Sequence, residues 1–328
     1  MLNIINNSND PYFNLALEEY LIKQAALDDD KLILWQNAPA IVIGKHQNAL
    51  AEINYHYVQE NNIQVVRRLT GGGAVYHDPG NLNFTFLLNR DNFATTDFSV
   101  LAEPIIYCLS TLGVRAEFNG RNDICVDYKK FSGNAQYLYK NTLLHHGTIL
   151  FDSDLTVLGQ ALKPKKKYIS RAVRSVQSLV TNLKPYLPGG LNLPTFKQLL
   201  AESIIAYHNR PYQEYQLTAK DIQAVNRLVA DKYSTWAWNF GSAPAFAYQK
   251  ELTFAGGSLT LHFNISHGLI TECKFYGDFF EQQTVQELEA ILTGRHYEEA
   301  GLQSLLEKVD ASQYIRGLTS EQLMSCLF

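Results

Sequence analysis

Apolar positions fall at helical spacing almost from the first residues. Asp10 can cap a helix and Pro11 suits its first position. Phe13, Leu17, Tyr20, Leu21 and Gln24 follow on one side, so most of that face is apolar. The next apolar runs are short. Residues 32–35 and 40–43, split by Asn37-Ala38-Pro39, predict a pair of strands around a turn. Residues 63–68 predict a third strand that enters the loop Leu69-Thr70-Gly71-Gly72-Gly73, and the alternation Asn83-Phe84-Thr85-Phe86-Leu87 predicts a fourth. A helix over 100–112 stops at Gly113, a natural residue just past a helix end. Residues 114–151 read as further strands with Asp127-Tyr128 at a hairpin tip, and helices dominate from 154 to 232. Strands and helices mix without a strict βαβ rhythm, which predicts an α+β fold on a mixed sheet.

The pattern restarts near residue 248. Residues 252–263 alternate as one strand, Ser266-His267-Gly268 is a turn, and residues 269–276 return. Thr284 with Glu287 and Thr319 with Gln322 have the spacing of capping boxes. The chain therefore divides into a large domain, 1–247, and a small α+β domain, 248–328.

Composition narrows the function classes. Hydrophobic residues are 46% and charged ones 18%, enough for a real core and against a disordered scaffold. The net charge of −4 argues against bulk nucleic-acid binding, which needs a basic footprint. The start, MLNIINNSNDPYF, lacks the basic and apolar regions of a signal peptide, and no apolar run approaches a membrane span. Cys108, Cys125, Cys273 and Cys326 are too scattered for a disulfide framework or a metal knuckle. A cytoplasmic enzyme or binding protein is the expectation, with no membrane or nucleic-acid partner.

Candidate chemistry concentrates in three clusters. In the first, a strand ends in Arg67-Arg68 just before three consecutive glycines and Ala74-Val75-Tyr76-His77-Asp78. Such a loop can bring backbone N–H groups close to phosphate oxygens, with arginine beside them. It is neither a Walker loop nor a dinucleotide GxGxxG; without a ligand it is a glycine-rich turn. In the second, Gly120-Arg121-Asn122-Asp123 precedes Lys130-Phe131-Ser132-Gly133-Asn134-Ala135. Asp123 could hold magnesium or simply cap a turn, and Lys130 could face a phosphate or a carboxylate or stand exposed on a hairpin. The third is His145-His146-Gly147. On a strand these rings point to opposite faces, so a pocket or core role is favoured over metal.

Taken together, these segments closely resemble the lipoate–protein ligase A family. Phe13–Glu19, Ile43–Asn48, the runs around the triple glycine, Lys130–Ala135 and His145–Leu150 carry the resemblance, which covers essentially the whole chain. It implies a catalytic domain like those of biotin and lipoate ligases, plus a small accessory domain. It implies a two-step reaction: lipoate and MgATP give lipoyl-AMP and pyrophosphate, then a lysine of a lipoyl domain takes the acyl group. The implied acceptors are E2 subunits of 2-oxoacid dehydrogenases and the glycine-cleavage H protein, with octanoate as a second acyl substrate. By position, Arg68 would bind the phosphate or nucleotide, and Gly72, Gly73, Ala74, Val75 and Tyr76 would form the nucleotide loop. Lys130 would touch both the acyl carbonyl end and the phosphate as an electrostatic clamp. Asn122 would give polar support, Asp123 would hold magnesium, and His77 and His146 would shape the pocket. The basic run at 163–167 would be a mobile loop over the adenylate or a contact for an acidic acceptor. Two rival readings are an ATP-independent lipoyl or octanoyl transferase of the same fold, which would use a cysteine thioester, and a non-catalytic lipoate-binding protein.

Overall fold

The computed structural model describes residues 1–25, 29–89, 97–119, 122–162, 168–170, 180–209, 211–241, 246–279 and 281–328. The 163–167 basic run, Gly120 and Arg121 lie outside the described residues. Strands are β1 (Leu2–Ile5), β2 (Lys31–Trp35), β3 (Ala40–Ile43), β4 (Gln64–Arg67), β5 (Val75–His77), β6 (Asn81–Asn89), β7 (Ala116–Asn119), β8 (Asp123–Val126), β9 (Lys129–Tyr139), β10 (Thr142–Leu150), β11 (Tyr168–Ser170), β12 (Gln213–Gln216), β13 (Phe246–Phe254), β14 (Gly257–Ser266) and β15 (Leu269–Phe279). The described residues form two compact units. The first draws on Met1–Lys45, Asn62–Leu162 and Ser175–Thr235, the second on His46–Asn61, Lys163–Arg174 and Trp236–Phe328. The α+β class and the mixed sheet follow the sequence pattern.

The first unit is built on an eight-stranded sheet, ordered β12-β1-β2-β6-β10-β9-β8-β7. β1 runs parallel to β2 and β12, and the other pairs are antiparallel. A second sheet, β4-β3-β5, has β3 parallel to β4 and antiparallel to β5. β2 and β3 are therefore not the hairpin their spacing predicts. Both are buried along their whole length, so each is a central strand of a different sheet. The intervening Asn37 is fixed by Asn14 (2.8 Å) and His77 (3.0 Å).

β6 explains where the site lies. Alternation is the usual pattern of a half-exposed strand, yet residues 81–88 are all buried. Leu82, Phe84, Phe86 and Leu88 join the main core with Leu101, Ile105 and Leu109 of the helix Phe98–Thr111 and Phe196, Leu200 and Ile204 of the helix Leu193–Tyr207. The opposite set, Asn81, Asn83 and Thr85, is polar and equally buried. Buried polar groups are costly unless paired, so a sheet face lined with them marks a polar interior built for contacts.

The helix Pro11–Lys23 begins at Asp10, whose carboxylate accepts from Tyr12 N–H, with Pro11 at its start. Its Glu18 and Glu19 are both buried. Glu19 accepts from Lys23 (3.0 Å), Lys232 (2.6 Å) and Tyr233 (2.6 Å). Burial alone would raise its pKa; these donors hold it below the ordinary carboxylate range.

In the second unit β13, β14 and β15 form an antiparallel meander with short β11 at the edge. The alternation over 252–263 is not one strand. It continues through a tight turn at Ala255-Gly256, where a side chain on Gly256 would meet Arg316 O at 1.8 Å. Period two survives a two-residue reversal, so the pattern alone hides the turn. His267 and Gly268 take positive φ (49° and 74°) in the turn before β15. Thr319 forms its capping box with Gln322, whereas Thr284 starts its helix without a side-chain cap. Residues 46–61 join this unit although they lie far from it in sequence; Tyr55 stacks on Phe328 at 5.3 Å. Among the described residues no helix is long and apolar enough to cross a membrane.

Candidate active site

β4 delivers two buried arginines to the glycine loop. Arg67 Nη1 donates to the carbonyls of Gly44 (2.9 Å) and Lys45 (3.2 Å). Arg68 folds back under the loop. Its Nε donates to Thr70 Oγ1 (2.8 Å), its Nη2 to Gly71 O (2.7 Å) and Gly73 O (2.8 Å), and its Nη1 to Val42 O (3.1 Å). Burial pulls both guanidinium groups down to about 10, so they stay charged at neutral pH. Expected to reach a phosphate, Arg68 is placed as the post around which the loop is wound. The carbonyls of Gly71 and Gly73 are turned onto Arg68. Gly72 sits at φ 91°, and a Cβ there would lie 3.0 Å from Arg68 Nη2. Beyond it Ala74 and Tyr76 are buried, and Tyr76 pairs with Ile41 across β5 and β3.

The histidines divide as strand geometry requires. His145 lies on the core face among Phe84, Phe86 and Phe98, bonded to Gln136 and Asn134. Desolvation, reinforced by His146, pushes it down to about 3, so it is neutral. His146 lies on the polar face. Its Nε2 is 2.8 Å from Thr70 Oγ1 and its Nδ1 is 2.9 Å from Glu18 Oε1. Glu18 also accepts from Thr85 (2.6 Å), which accepts from Trp35 Nε1 (2.9 Å). His77 packs edge-on to Trp35, and burial beside Arg68 and His146 pushes it down to about 3. Sequence reasoning gave no role to Glu18, Thr70 or Thr85. The available signal was two adjacent glutamates inside an apolar helical run.

The second cluster sits on the β8–β9 hairpin, whose tip residues Asp127 and Tyr128 take φ 47° and 61°. Asp123 pairs with Gly133 and Ile124 with Ser132, then the register shifts so that Cys125 pairs with Lys130. The bulge inserts Phe131, which enters the core, and returns Lys130 to the face of Asp123 and Gly133. Lys130 Nζ lies 2.7 Å from Asp123 Oδ1, each side chain about a quarter exposed. It lies directly over Gly133, where a Cβ would be 2.8 Å away. Thr181 N–H donates to Lys130 O (2.9 Å), tying down the lysine's backbone. Asn122 staples the hairpin: its Nδ2 donates to Asn134 O (2.6 Å), and its carbonyl accepts from Asn134 Nδ2 (3.0 Å).

Sheet register joins the clusters. His146 pairs with Ala135 on β9, two residues from Gly133 and on the same face. Farther along, Tyr137 carries Lys45 Nζ over its ring at 5.4 Å, and Lys45 N–H donates to Thr70 O (2.8 Å). The glycine loop and Lys130 thus address one face of one strand. Among the described residues no group of three or more His, Cys, Asp or Glu could hold a metal ion.

Gly147 sets the packing beside both histidines. A Cβ there would lie 2.4 Å from Phe84 Cζ and 2.5 Å from Asn134 Oδ1. Gly147→Ala is expected to destabilise the fold by roughly 1–3 kcal/mol through overpacking. Thermal denaturation checks this; an unchanged Tm would mean the β6–β10 interface is looser than these distances state.

The family model described as the lipoyl protein ligase A/B catalytic domain matches residues 10–205, and that of the bacterial lipoate protein ligase C-terminus matches 243–327. The chain is 41% identical to the lipoate-protein ligase LplJ of Bacillus subtilis over 98% of each chain. A solved lipoate-protein ligase A bound with ATP superposes with TM-score 0.64 at 26% identity, covering 74% of this chain and 98% of that one. The T. acidophilum protein Ta0514 with bound lipoic acid superposes at 0.63 and 27%, covering 73% and 98%. By two matched domains and near-complete coverage of a curated relative, the chain belongs to the lipoate–protein ligase family and is an enzyme.

Proposed function

We propose that the chain activates lipoate with ATP as enzyme-bound lipoyl-AMP, releasing pyrophosphate, and transfers the lipoyl group to a lysine of a lipoyl domain. Acceptors would be E2 subunits of 2-oxoacid dehydrogenases, the glycine-cleavage H protein, or both, in the cytoplasm. Residues 1–247 would carry the chemistry and 248–328 would be an accessory domain. The observation that carries this is the Lys130–Asp123 pair seated over Gly133, on the face of β9 shared by Ala135, whose partner His146 is bonded to Thr70 of the loop.

The chemistry needs that pairing. A carboxylate is a poor acyl donor because its leaving group would be oxide. Attack on the α-phosphorus gives a mixed anhydride with AMP as leaving group, and negative charge builds on the phosphate during the step. Charge held in place beforehand stabilises that state most effectively. Lys130 Nζ, held by Asp123 until anions arrive, can bridge the lipoate carboxylate and the phosphate. Gly72, Gly73, Ala74, Val75 and Tyr76 would supply N–H groups and the nucleotide's bed. Arg68 would act from beneath them through its charge. Asn122 fixes the hairpin that carries the clamp. Asp123 would hold magnesium against the phosphates, which would neutralise further charge there.

The cysteine-transferase reading finds no support. All four cysteines are buried and free. Desolvation raises the thiols of Cys108 and Cys125, and those of Cys273 and Cys326 to about 12 and 11, away from the thiolate an acyl carrier needs. Acceptor lipoylation followed by mass should require ATP and survive iodoacetamide treatment. Modification without ATP, abolished by alkylation, would reverse the assignment.

A further inference from the structure

The β8–β9 hairpin turns through two residues, Asp127 and Tyr128, between the paired Val126 and Lys129. Both are left-handed, at φ 47° and 61°. This is the tight hairpin turn whose second position glycine fills best. Of the six non-glycine residues with positive φ among those described, Asn62, Asp127, Asn209 and His267 are of types that tolerate it. Lys140 has a contact in return, its Nζ lying 5.5 Å from the Tyr139 ring centroid. Tyr128 is 91% exposed, against 55% for Tyr276, the next most exposed large apolar side chain. Among the described residues its side chain has no ring or hydrogen-bond partner. The fold carries a bulky residue in a strained conformation and gains no packing from it.

The position of the ring says what it meets. Lys130 follows two residues later on the same hairpin, and its Nζ and Asp123 are each about a quarter exposed, so the pair opens to solvent. Gly133, beneath that Nζ, lies roughly 13 Å along β9 from the turn. A folded domain of about 100 residues has a radius of gyration of ~13 Å, so it covers ground of that reach around any point it touches. An acceptor that brings a lysine to the acyl carbonyl at Lys130 therefore has the hairpin tip within its footprint. We propose that Tyr128 anchors the acceptor lipoyl domain, its ring seated on an apolar patch beside the lysine to be modified; this rests on the ligase reading above.

Tyrosine suits the role. It offers a large apolar area with few torsions to fix on contact, and its hydroxyl end tolerates water before the partner arrives. The two-residue turn fixes the backbone beneath the ring, which lowers the ordering cost of binding. Asp127 and Lys129 flank the ring, both exposed and of opposite sign. The tip therefore has little net charge, and the ring is the main handle it presents.

The test is transfer from preformed, enzyme-bound lipoyl-AMP to a lipoyl domain, followed as the domain concentration is varied. Tyr128→Gly should raise the KM for the domain about tenfold, the scale at which a single interface aromatic counts, and keep kcat. Its Tm should not fall, because glycine relieves the left-handed position. Two reactions that need no docking should be unchanged. One is pyrophosphate release from lipoate and ATP. The other is transfer from bound lipoyl-AMP to hydroxylamine, whose nitrogen replaces AMP on the carbonyl carbon and loses a proton. Tyr128→Phe keeps the ring and should keep the native KM, whereas Tyr128→Asn, which tolerates the turn but lacks the ring, should behave as Tyr128→Gly. A native KM in Tyr128→Gly, or the same loss in Tyr128→Phe, would overturn the anchor. So would a fall in Tm, or an equal loss with hydroxylamine, either of which would make the tip a support for Lys130. Absent pyrophosphate release by the native enzyme would instead overturn the ligase reading beneath it.

Discussion

Lys130→Ala folds normally and forms lipoyl-AMP about 10²–10³-fold more slowly than the native chain, the scale for removing one preorganised charge-stabilising donor. The two parts of this expectation have separate grounds. Lys130 is about a quarter exposed and pairs with Asp123. Partly exposed pairs contribute at most about 1 kcal/mol, so the Tm should barely move. The rate loss follows from position. The bulge at Phe131 and the bare Cα of Gly133 seat Nζ beside Asp123, on the face of β9 that Ala135 shares. Adenylate formation at a near-native rate, measured by pyrophosphate release, would remove Lys130 from the chemistry.

Gly72→Val should cost about 10²–10³-fold in kcat/KM for ATP while leaving lipoate binding largely intact. Two penalties add. A β-branched residue at φ 91° carries roughly 1–3 kcal/mol of backbone strain. Its Cβ would also lie 3.0 Å from Arg68 Nη2, which donates to Gly71 O and Gly73 O. Weakening a charge-assisted hydrogen bond costs roughly 1.5–3 kcal/mol. At about 1.4 kcal/mol per decade the two penalties span about two to four decades; the bond is weakened and not lost, so two to three are expected if the loop's N–H groups must be in place for the phosphates. Unchanged ATP kinetics would reduce the triple glycine to an ordinary turn.

Legibility in the sequence followed the range of each interaction. The first helix, the Asp127-Tyr128 tip, the Gly113 stop and the His267-Gly268 turn are local, and each is where capping and turn chemistry puts it. The glycine loop and Lys130 were legible as motifs, because their residue types are unusual together. The separation of β2 from β3 was not, since fully buried strands give no alternation to reveal their sheet. On β6 the alternation was real, but periodicity cannot tell a polar face turned to water from one turned to a buried site. Arg68 read as a ligand-facing cation because nothing local shows that its partners are the carbonyls three and five residues ahead. Glu18 and His146, 128 residues apart, meet only through the stacking of a helix on the sheet.

Pyrophosphate release from the native enzyme with lipoate and ATP, acceptor withheld, tests the central claim most directly. The account predicts a burst close to one pyrophosphate per enzyme. Lipoyl-AMP should stay bound and move to a lipoyl domain, without further ATP, once that domain is added. No pyrophosphate until acceptor is present, or an acceptor lipoylated from lipoate with no ATP consumed, would contradict it.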